Sequence, residues 1–166
     1  MRNKLLFGSL TALALVLVVG VTAEAQLPKQ GTFAGKFGWW AVGKVYEMEK
    51  GHIYWEGEFN GTLFNDAGEG FLHGTSWVCP GYNELRDGIS VESGGRCIVT
   101  DMDGDKVFTV WHGGKGTMPL KFNGDNQFVG GTGKYAGIRG NHTYRANSVP
   151  TTEQGFGLFA GEWRLP

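Results

Sequence analysis

The run from Phe128 to Gly140, FVGGTGKYAGIRG, decides the fold of this chain. Consecutive glycines permit positive φ in a tight turn, and the hydroxyl of Thr132 can bond to local backbone there. Aromatic and β-branched residues flank the glycines, and such side chains favour strands. The run therefore predicts a tight glycine turn, followed by a strand near 138–146.

The rest of the chain repeats this combination of glycine with apolar residues. Of its 29 glycines only Gly8 and Gly20 fall within the first 25 residues, and the others are spread throughout, as in FAGKFGWW at 33–40. Glycine is costly inside helices but relieves crowding at bulges and corners of strongly bent sheets. No segment after residue 25 shows a 3.6-residue periodicity over three turns. The composition predicts many strands and few helices.

Turn signals divide the chain into short strands. We predict strands near 32–40, 41–49, 52–64, 70–79, 96–101, 106–112, 117–123, 138–146 and 156–164. Connections are predicted at 49–51, 65–68, 101–105 and 123–126, and an irregular polar loop at 80–95. About eight successive antiparallel strands without covering helices must hide their edges, and closing into a barrel does so. The predicted fold is all-β, a closed antiparallel β-barrel of about eight strands, with a β-sandwich as the alternative.

The glycine run also resembles a known family signature. Gly130, Gly131, Thr132, Gly133 and Tyr135 match the Gly-Gly-Thr-Gly-x-(Phe/Tyr) pattern of the allene oxide cyclase and dirigent proteins. That resemblance implies an eight-stranded antiparallel barrel, in which the motif joins two strands and its aromatic residue packs beneath the turn. The catalytic residues of the plant enzymes cannot be aligned with this chain, so none is carried over.

The first 25 residues have the three parts of a secretory signal. Arg2 and Lys4 make a basic start, the run 5–21 is apolar, and Ala23-Glu24-Ala25 supplies the small-x-small cleavage pattern. A retained membrane anchor is the alternative, because the run is near the lower length limit of a spanning helix. We predict a cleaved signal peptide at 1–25, a single barrel domain at 26–166 without a membrane anchor, and a periplasmic or secreted location.

Charge and cysteine content restrict the function further. The formal net charge is −1 and no basic stripe is present, so a nucleic-acid partner is not expected. Cys79 and Cys97 are the two cysteines, and an exported chain usually meets oxidising conditions. They predict one structural disulfide. A redox or metal pair is the alternative, although the spacing is too wide for a CxxC motif.

Two letter patterns suggest ligands that the context does not support. The stretch 131–136 fits the GxGxxA dinucleotide fingerprint, but that chemistry needs a βαβ unit. The acidic turn 101–105 suggests calcium, yet an EF-hand would need glycine where Lys106 stands and glutamate where His112 stands. A solvated turn is the preferred interpretation.

The strand at 52–64 carries the first candidate catalytic groups. Its apolar residues alternate with a polar face that holds Tyr54, Glu56 and Glu58. If that face points into the barrel, burial would raise the carboxyl pKa values and make one group a general acid or base. If it points outward, as the apolar opposite face suggests, the carboxylates are surface charges.

Histidines and aromatic rings provide the other candidates. His52, His73, His112 and His142 lie on or near four different predicted strands and could converge on zinc or copper, but separate hydrogen-bonded histidines are favoured because no HxH or HxxxH spacing occurs. We predict no metal and no cofactor. The tryptophans and tyrosines exceed what a domain of this size needs, and Tyr54, Trp77 and Trp111 are the candidates for lining a pocket.

Three functions follow from this reasoning. The first is an exported barrel that binds a small apolar or aromatic molecule and, as the resemblance implies, acts on it as a cofactor-free cyclase or isomerase through Glu56, Glu58, His73 or His112. The second is a carrier with the same pocket and no chemistry. The third is a structural or interaction barrel, which could form homo-oligomers through an apolar outer face as related barrels do. An acid or base facing the interior favours the first, and a lining of only aromatic and aliphatic groups favours the second. A structure without an internal cavity above roughly 300 Å3 would exclude both pocket functions.

Overall fold

The computed structural model describes residues 27–117 and 121–166. The predicted signal peptide, residues 1–25, lies outside these described residues. The strands are β1 (Gln30–Glu49), β2 (His52–Asn65), β3 (Thr75–Arg86), β4 (Ile89–Thr100), β5 (Lys106–Gly113), β6 (Gly116–Thr117), β7 (Lys121–Gly131), β8 (Arg139–Ser148) and β9 (Gln154–Arg164). One turn of 3-10 helix, Gly133–Tyr135, precedes β8. No helix in these two ranges is long and apolar enough to cross a membrane.

Eight of the strands form a closed barrel. Each of β1 to β5 pairs antiparallel with the next, β5 pairs with β7, and the order continues through β8 to β9. The pairing of β9 with β1 closes the ring, from Gln30 opposite Arg164 to Trp40 opposite Gln154. The short β6 adds to the end of β4. The predicted closed antiparallel barrel is confirmed, and one continuous ring rules out the sandwich.

Three sequence predictions about the strands are wrong. The stretch 80–95 is no loop: it completes β3 and begins β4, joined by a two-residue turn at Asp87-Gly88. Both turn residues have positive φ, 50° and 77°, as a type I′ hairpin requires. Likewise, the turn predicted at 123–126 lies inside β7, and β1 is one strand where two were expected. The outward-facing residues of a barrel strand are often polar, so the composition of such a strand resembles that of a loop.

One end of the barrel is filled with apolar side chains. Phe71 and Leu72 enter it from the loop between β2 and β3, and the ring of Phe71 stacks on Trp163 with centroids 4.3 Å apart. Tyr135 and Ile138 enter from the glycine run and are almost completely buried. We call this the filled end.

The glycine run forms the predicted turn. Gly133 has φ 48°, and Tyr135 is buried beneath the turn. The Thr132 hydroxyl accepts a hydrogen bond from the backbone N–H of Lys106 at 2.8 Å. That partner lies on β5, so the hydroxyl ties the turn to a distant strand and not to local backbone as predicted.

The acidic turn 101–105 is neutralised by a lysine. Lys134 Nζ lies 2.7 Å from Asp101 Oδ2 and also contacts the carboxylate of Asp103. Asp101 Oδ1 accepts the backbone N–H groups of Asp103 and Asp105 at 2.9 and 3.0 Å. Burial by itself would raise the pKa of Asp101, but hydrogen bonds with Lys134 and Tyr135 outweigh it and lower the pKa. An ammonium group therefore sits where the calcium interpretation would place a metal ion.

Interior glycines make room for tryptophan rings. A Cβ on Gly61 would lie 2.5 Å from Cζ2 of Trp77, and one on Gly81 would lie 2.4 Å from Cζ2 of Trp111. Trp77 thus covers a glycine of the adjacent β2, and Trp111 reaches across β4 to a glycine of β3. This accounts for the high glycine content, because side chains at these positions would push the large rings out of place.

Candidate functional site

A cavity lies inside the barrel at the end opposite the filled one. Its volume is about 130 Å3, and it reaches the surface near Gly114 and Asn123, which are exposed. The described residues that line it are Phe37, Trp39, Phe59, Leu63, Trp77, Cys79, Asn83, Ser93, Cys97, Val99, Thr109, Trp111, Gly113, Gly114, Phe122, Asn123, Asn126, His142, Tyr144, Ala146 and Phe159. They come from all eight barrel strands, so the cavity exists only because the barrel closes.

The cavity is smaller than the sequence analysis required. At about 130 Å3 it falls below the roughly 300 Å3 set for both pocket functions, so neither holds for a drug-sized ligand. Aromatic side chains occupy the missing space: Phe59 packs edge-on against Trp39 and Trp111, with ring centroids 5.7 and 5.9 Å away. The volume approaches that of an engineered apolar cavity, about 150 Å3, that accepts benzene. Space for about one ring is available.

The predicted disulfide is present in the cavity wall. Cys79 on β3 and Cys97 on β4 are bonded, and both are buried. They pack against Trp111 and, through it, against the other rings of the wall. The bond holds two neighbouring strands together where their side chains face the cavity. Such a disulfide is typical of proteins in oxidising compartments, so it agrees with an exported location.

A polar row forms the floor of the cavity. Trp111 on β5, Asn126 on β7 and His142 on β8 are direct neighbours in the strand register, and all line the cavity. The hydroxyl of Thr109 donates a hydrogen bond of 2.9 Å to Asn126 Oδ1. Behind the row, the rings of Phe33, Phe128 and Phe159 surround the imidazole with centroids 5.6, 5.7 and 6.1 Å away. These polar groups therefore lie between the cavity and the apolar core.

The lining carries no formal charge at neutral pH. None of its described residues is Asp, Glu, Lys or Arg. Burial lowers the pKa of His142 to about 4, so the imidazole is neutral at pH 7. Burial, helped by the nearby carboxylate of Asp125, raises the pKa of Tyr144 and keeps its phenol neutral. An ion entering the cavity would find no opposite charge there.

Three nitrogens of the lining are buried without a hydrogen-bond partner in the described part of the chain: Trp39 Nε1, Trp111 Nε1 and His142 Nδ1. The amide nitrogen of Asn126 has no partner among the described residues either, since the bond from Thr109 uses the amide oxygen. Indole and amide N–H groups are donors only. The two indole N–H groups are closed off from the cavity, whereas the amide nitrogen of Asn126 is not among the fully buried atoms.

The carboxylates proposed as catalytic groups do not line the cavity. Glu56 and Glu58 are exposed on the outer face of β2. Glu56 accepts a hydrogen bond from the hydroxyl of Tyr46 at 3.0 Å, and Glu58 accepts one from Asn60 at 3.2 Å. Their positions agree with the outward interpretation of this strand face, because Trp55 and Phe59 lie on the inner face of β2.

The histidines are dispersed. His73 lies in the loop at the filled end, beside Asn65 Oδ1 at 3.2 Å, and His112 is exposed on the outer face of β5. His52 pairs with Glu84 at 2.8 Å on the outside. His142 alone of the four lines the cavity. Among the described residues no group of three or more His, Cys, Asp or Glu side chains could hold a metal ion.

Of the three predicted lining residues, Trp77 and Trp111 line the cavity and Tyr54 does not. The ring of Tyr54 lies outside the barrel, stacked on Tyr82 with centroids 6.0 Å apart. Sequence reasoning missed Asn126 and His142 as members of the site. The signal for His142 was available, because inward residues of β8 alternate with the exposed Arg139, Asn141, Thr143 and Arg145.

Comparisons with known proteins give a structural likeness and no sequence match. No protein-family model and no curated protein sequence matches the chain. Among solved structures the chain is similar to a pterocarpan synthase dirigent protein, with 12% sequence identity, a TM-score of 0.49, and coverage of 84% of this chain and 88% of that chain.

Proposed function

We propose that this protein is an exported binding barrel that takes up a small, neutral, ring-sized apolar or aromatic molecule. The observation that carries the proposal is the cavity of about 130 Å3, whose wall contains three indole rings and no charged side chain among the described residues. Apolar concave sites with few polar groups are typical of small-molecule binding. Trp39, Trp77 and Trp111 supply flat surfaces for a ring.

Binding is better supported than catalysis. A cyclase or isomerase needs a group that gives or takes a proton near the substrate. Glu56, Glu58, His73 and His112 all lie away from the cavity. His142 lines it, but a pKa of about 4 makes this imidazole a weak base. A carrier needs only the cavity, so a carrier function is the form of the proposal that we favour.

Two measurements test the proposal. The first is native mass spectrometry of the full chain, purified from cells that process its leader, to identify any molecule that accompanies it. The second is titration with toluene, followed by tryptophan fluorescence, because three tryptophans line the cavity. We expect saturable binding with a change in emission.

Ala146 and Ala160 offer a matched pair of variants. Ala146 is buried and lines the cavity, whereas Ala160 is exposed on β9. Ala146→Leu should weaken toluene binding at least about tenfold, since the added carbons occupy the space of the ring. Ala160→Leu should leave binding unchanged. Failure of the wild-type protein to bind toluene saturably, or equal binding by a folded Ala146→Leu variant, would overturn the proposal.

A further inference from the structure

The cavity floor distinguishes between ring compounds, and this inference rests on the proposed binding function. We infer that the site selects a neutral single-ring molecule that carries an oxygen hydrogen-bond acceptor, and that this oxygen accepts a hydrogen bond from the side-chain amide of Asn126. Phenols and cyclic ketones belong to this chemical class, whereas plain hydrocarbons and ring carboxylates do not.

The orientation of Asn126 is the first support. Its amide oxygen already accepts the hydroxyl of Thr109 at 2.9 Å, so the amide nitrogen is the group left for a ligand. The side chain is buried in the cavity lining, and its nitrogen has no partner among the described residues. This nitrogen is not among the fully buried side-chain atoms, so it is open to the cavity. A ligand oxygen in the cavity can accept its hydrogen bond.

The tryptophan neighbours of Asn126 offer no donor to the cavity. Trp111 is the register partner of Asn126, and both Trp39 and Trp111 line the cavity with their rings. The N–H group of each indole is buried in the wall, closed off from the cavity. The amide of Asn126 is therefore the donor that this part of the floor presents to a ligand.

The absence of charge among the described lining residues restricts the ligand further. Transfer of a carboxylate or ammonium group into an apolar site without a partner is very costly. His142, the remaining ionisable group of the floor, is uncharged at neutral pH because burial lowers its pKa to about 4. A carboxylate ligand would therefore lose its hydration and gain no cation.

Three probes of similar size separate the effect of a hydrogen-bond acceptor on binding from the effect of a charge. Toluene and phenol have nearly the same shape, but phenol alone carries an acceptor, and benzoate adds a charge. Binding of each to the full chain is measured by tryptophan fluorescence at pH 7. We expect benzoate to bind at least about tenfold more weakly than phenol.

The decisive measurement is the effect of Asn126→Leu on the ratio of the phenol and toluene dissociation constants. Loss of one hydrogen bond should shift this ratio about five- to tenfold against phenol, because the net value of such a bond corresponds to roughly that factor. Asn141→Leu is the control, since Asn141 is exposed on the outer face of the adjacent strand. Its ratio should equal that of the wild-type protein.

A second variant protects the test against misfolding. Thr109→Val combined with Asn126→Leu replaces both partners of the buried hydrogen bond by apolar groups, which is often nearly neutral for stability. It should show the same shift of the ratio. An unchanged ratio in either folded variant, or benzoate binding as tight as phenol, overturns the inference while the proposed binding function stands. Absence of toluene and phenol binding to the wild-type protein would instead refute the proposed function itself.

Discussion

Gly61→Ala tests the explanation of the glycine content. Gly61 faces the barrel interior from β2, and the indole of Trp77 covers it. A Cβ there would lie 2.2 Å from the carbonyl oxygen of Gly38 and 2.5 Å from Cζ2 of Trp77. Real Cβ atoms essentially never come within 3.0 Å of such neighbours. The substitution must therefore displace both the backbone of β1 and the indole.

The expected cost follows from these two contacts. Overpacking a well-packed interior costs about 1–3 kcal/mol. Because one of the obstructing atoms belongs to the backbone of a paired strand, we expect the upper end of the range, about 3 kcal/mol. For a domain of this size that corresponds to a decrease in Tm of about 10 °C. Displacement of Trp77 should also weaken toluene binding, since this ring lines the cavity.

The neighbouring Gly38 provides the matched control. It lies on β1 with its missing side chain directed outward, where a Cβ would meet no atom within 4 Å. Gly38→Ala should leave stability unchanged or raise it by up to about 1 kcal/mol, because alanine restricts the unfolded chain. Thermal unfolding followed by far-UV circular dichroism measures both variants. Equal Tm values for Gly61→Ala and Gly38→Ala would refute the packing argument.

Reduction of the Cys79–Cys97 bond should lower the free energy of unfolding by about 3 kcal/mol, because the bond closes a loop of 18 residues in the unfolded chain. Urea unfolding with and without reductant measures this, and a double alanine variant should show no effect of reductant. Lys134→Met should cost about 1–3 kcal/mol at pH 7, since it leaves the buried carboxylate of Asp101 without its cation. That cost should shrink as the pH falls through the lowered pKa of Asp101, and a cost independent of pH would contradict the assignment. Stability should fall between about pH 6.5 and pH 4, because unfolding frees the His142 imidazole to bind a proton that its folded pKa of about 4 excludes. His142→Gln should flatten this part of the profile, and an equally steep profile in that variant would contradict the cause given.

The architecture was largely predictable from local patterns. The glycine run at 128–140 indicated a turn before a strand near 138–146, and both are present as the turn at Gly133–Tyr135 and β8. The alternation along 52–64 separated the inward Trp55 and Phe59 from the outward Glu56 and Glu58. Strand faces are predictable because side chains alternate every second residue, a property of the strand itself.

The wrong strand predictions concern stretches whose residue composition fits both a strand and a loop. The stretch 80–95 is rich in polar and glycine residues, yet it forms a hairpin because Asp87 and Gly88 adopt positive φ. The Asp-Gly pair is a strong hairpin signal that the loop interpretation overlooked. In a barrel, half of every strand faces outward, so polarity by itself does not distinguish strand from loop.

The sequence by itself therefore determined the all-β class, the barrel and the disulfide between Cys79 and Cys97. Only the tertiary structure decided that the cavity is about 130 Å3 and that Asn126, Trp111 and His142 share its floor. The physical reason is that alternation is encoded by neighbours along one strand, whereas the contents of the interior depend on the register between strands. The same register brings tryptophan rings over glycines of adjacent strands, and the space that those rings leave is the cavity.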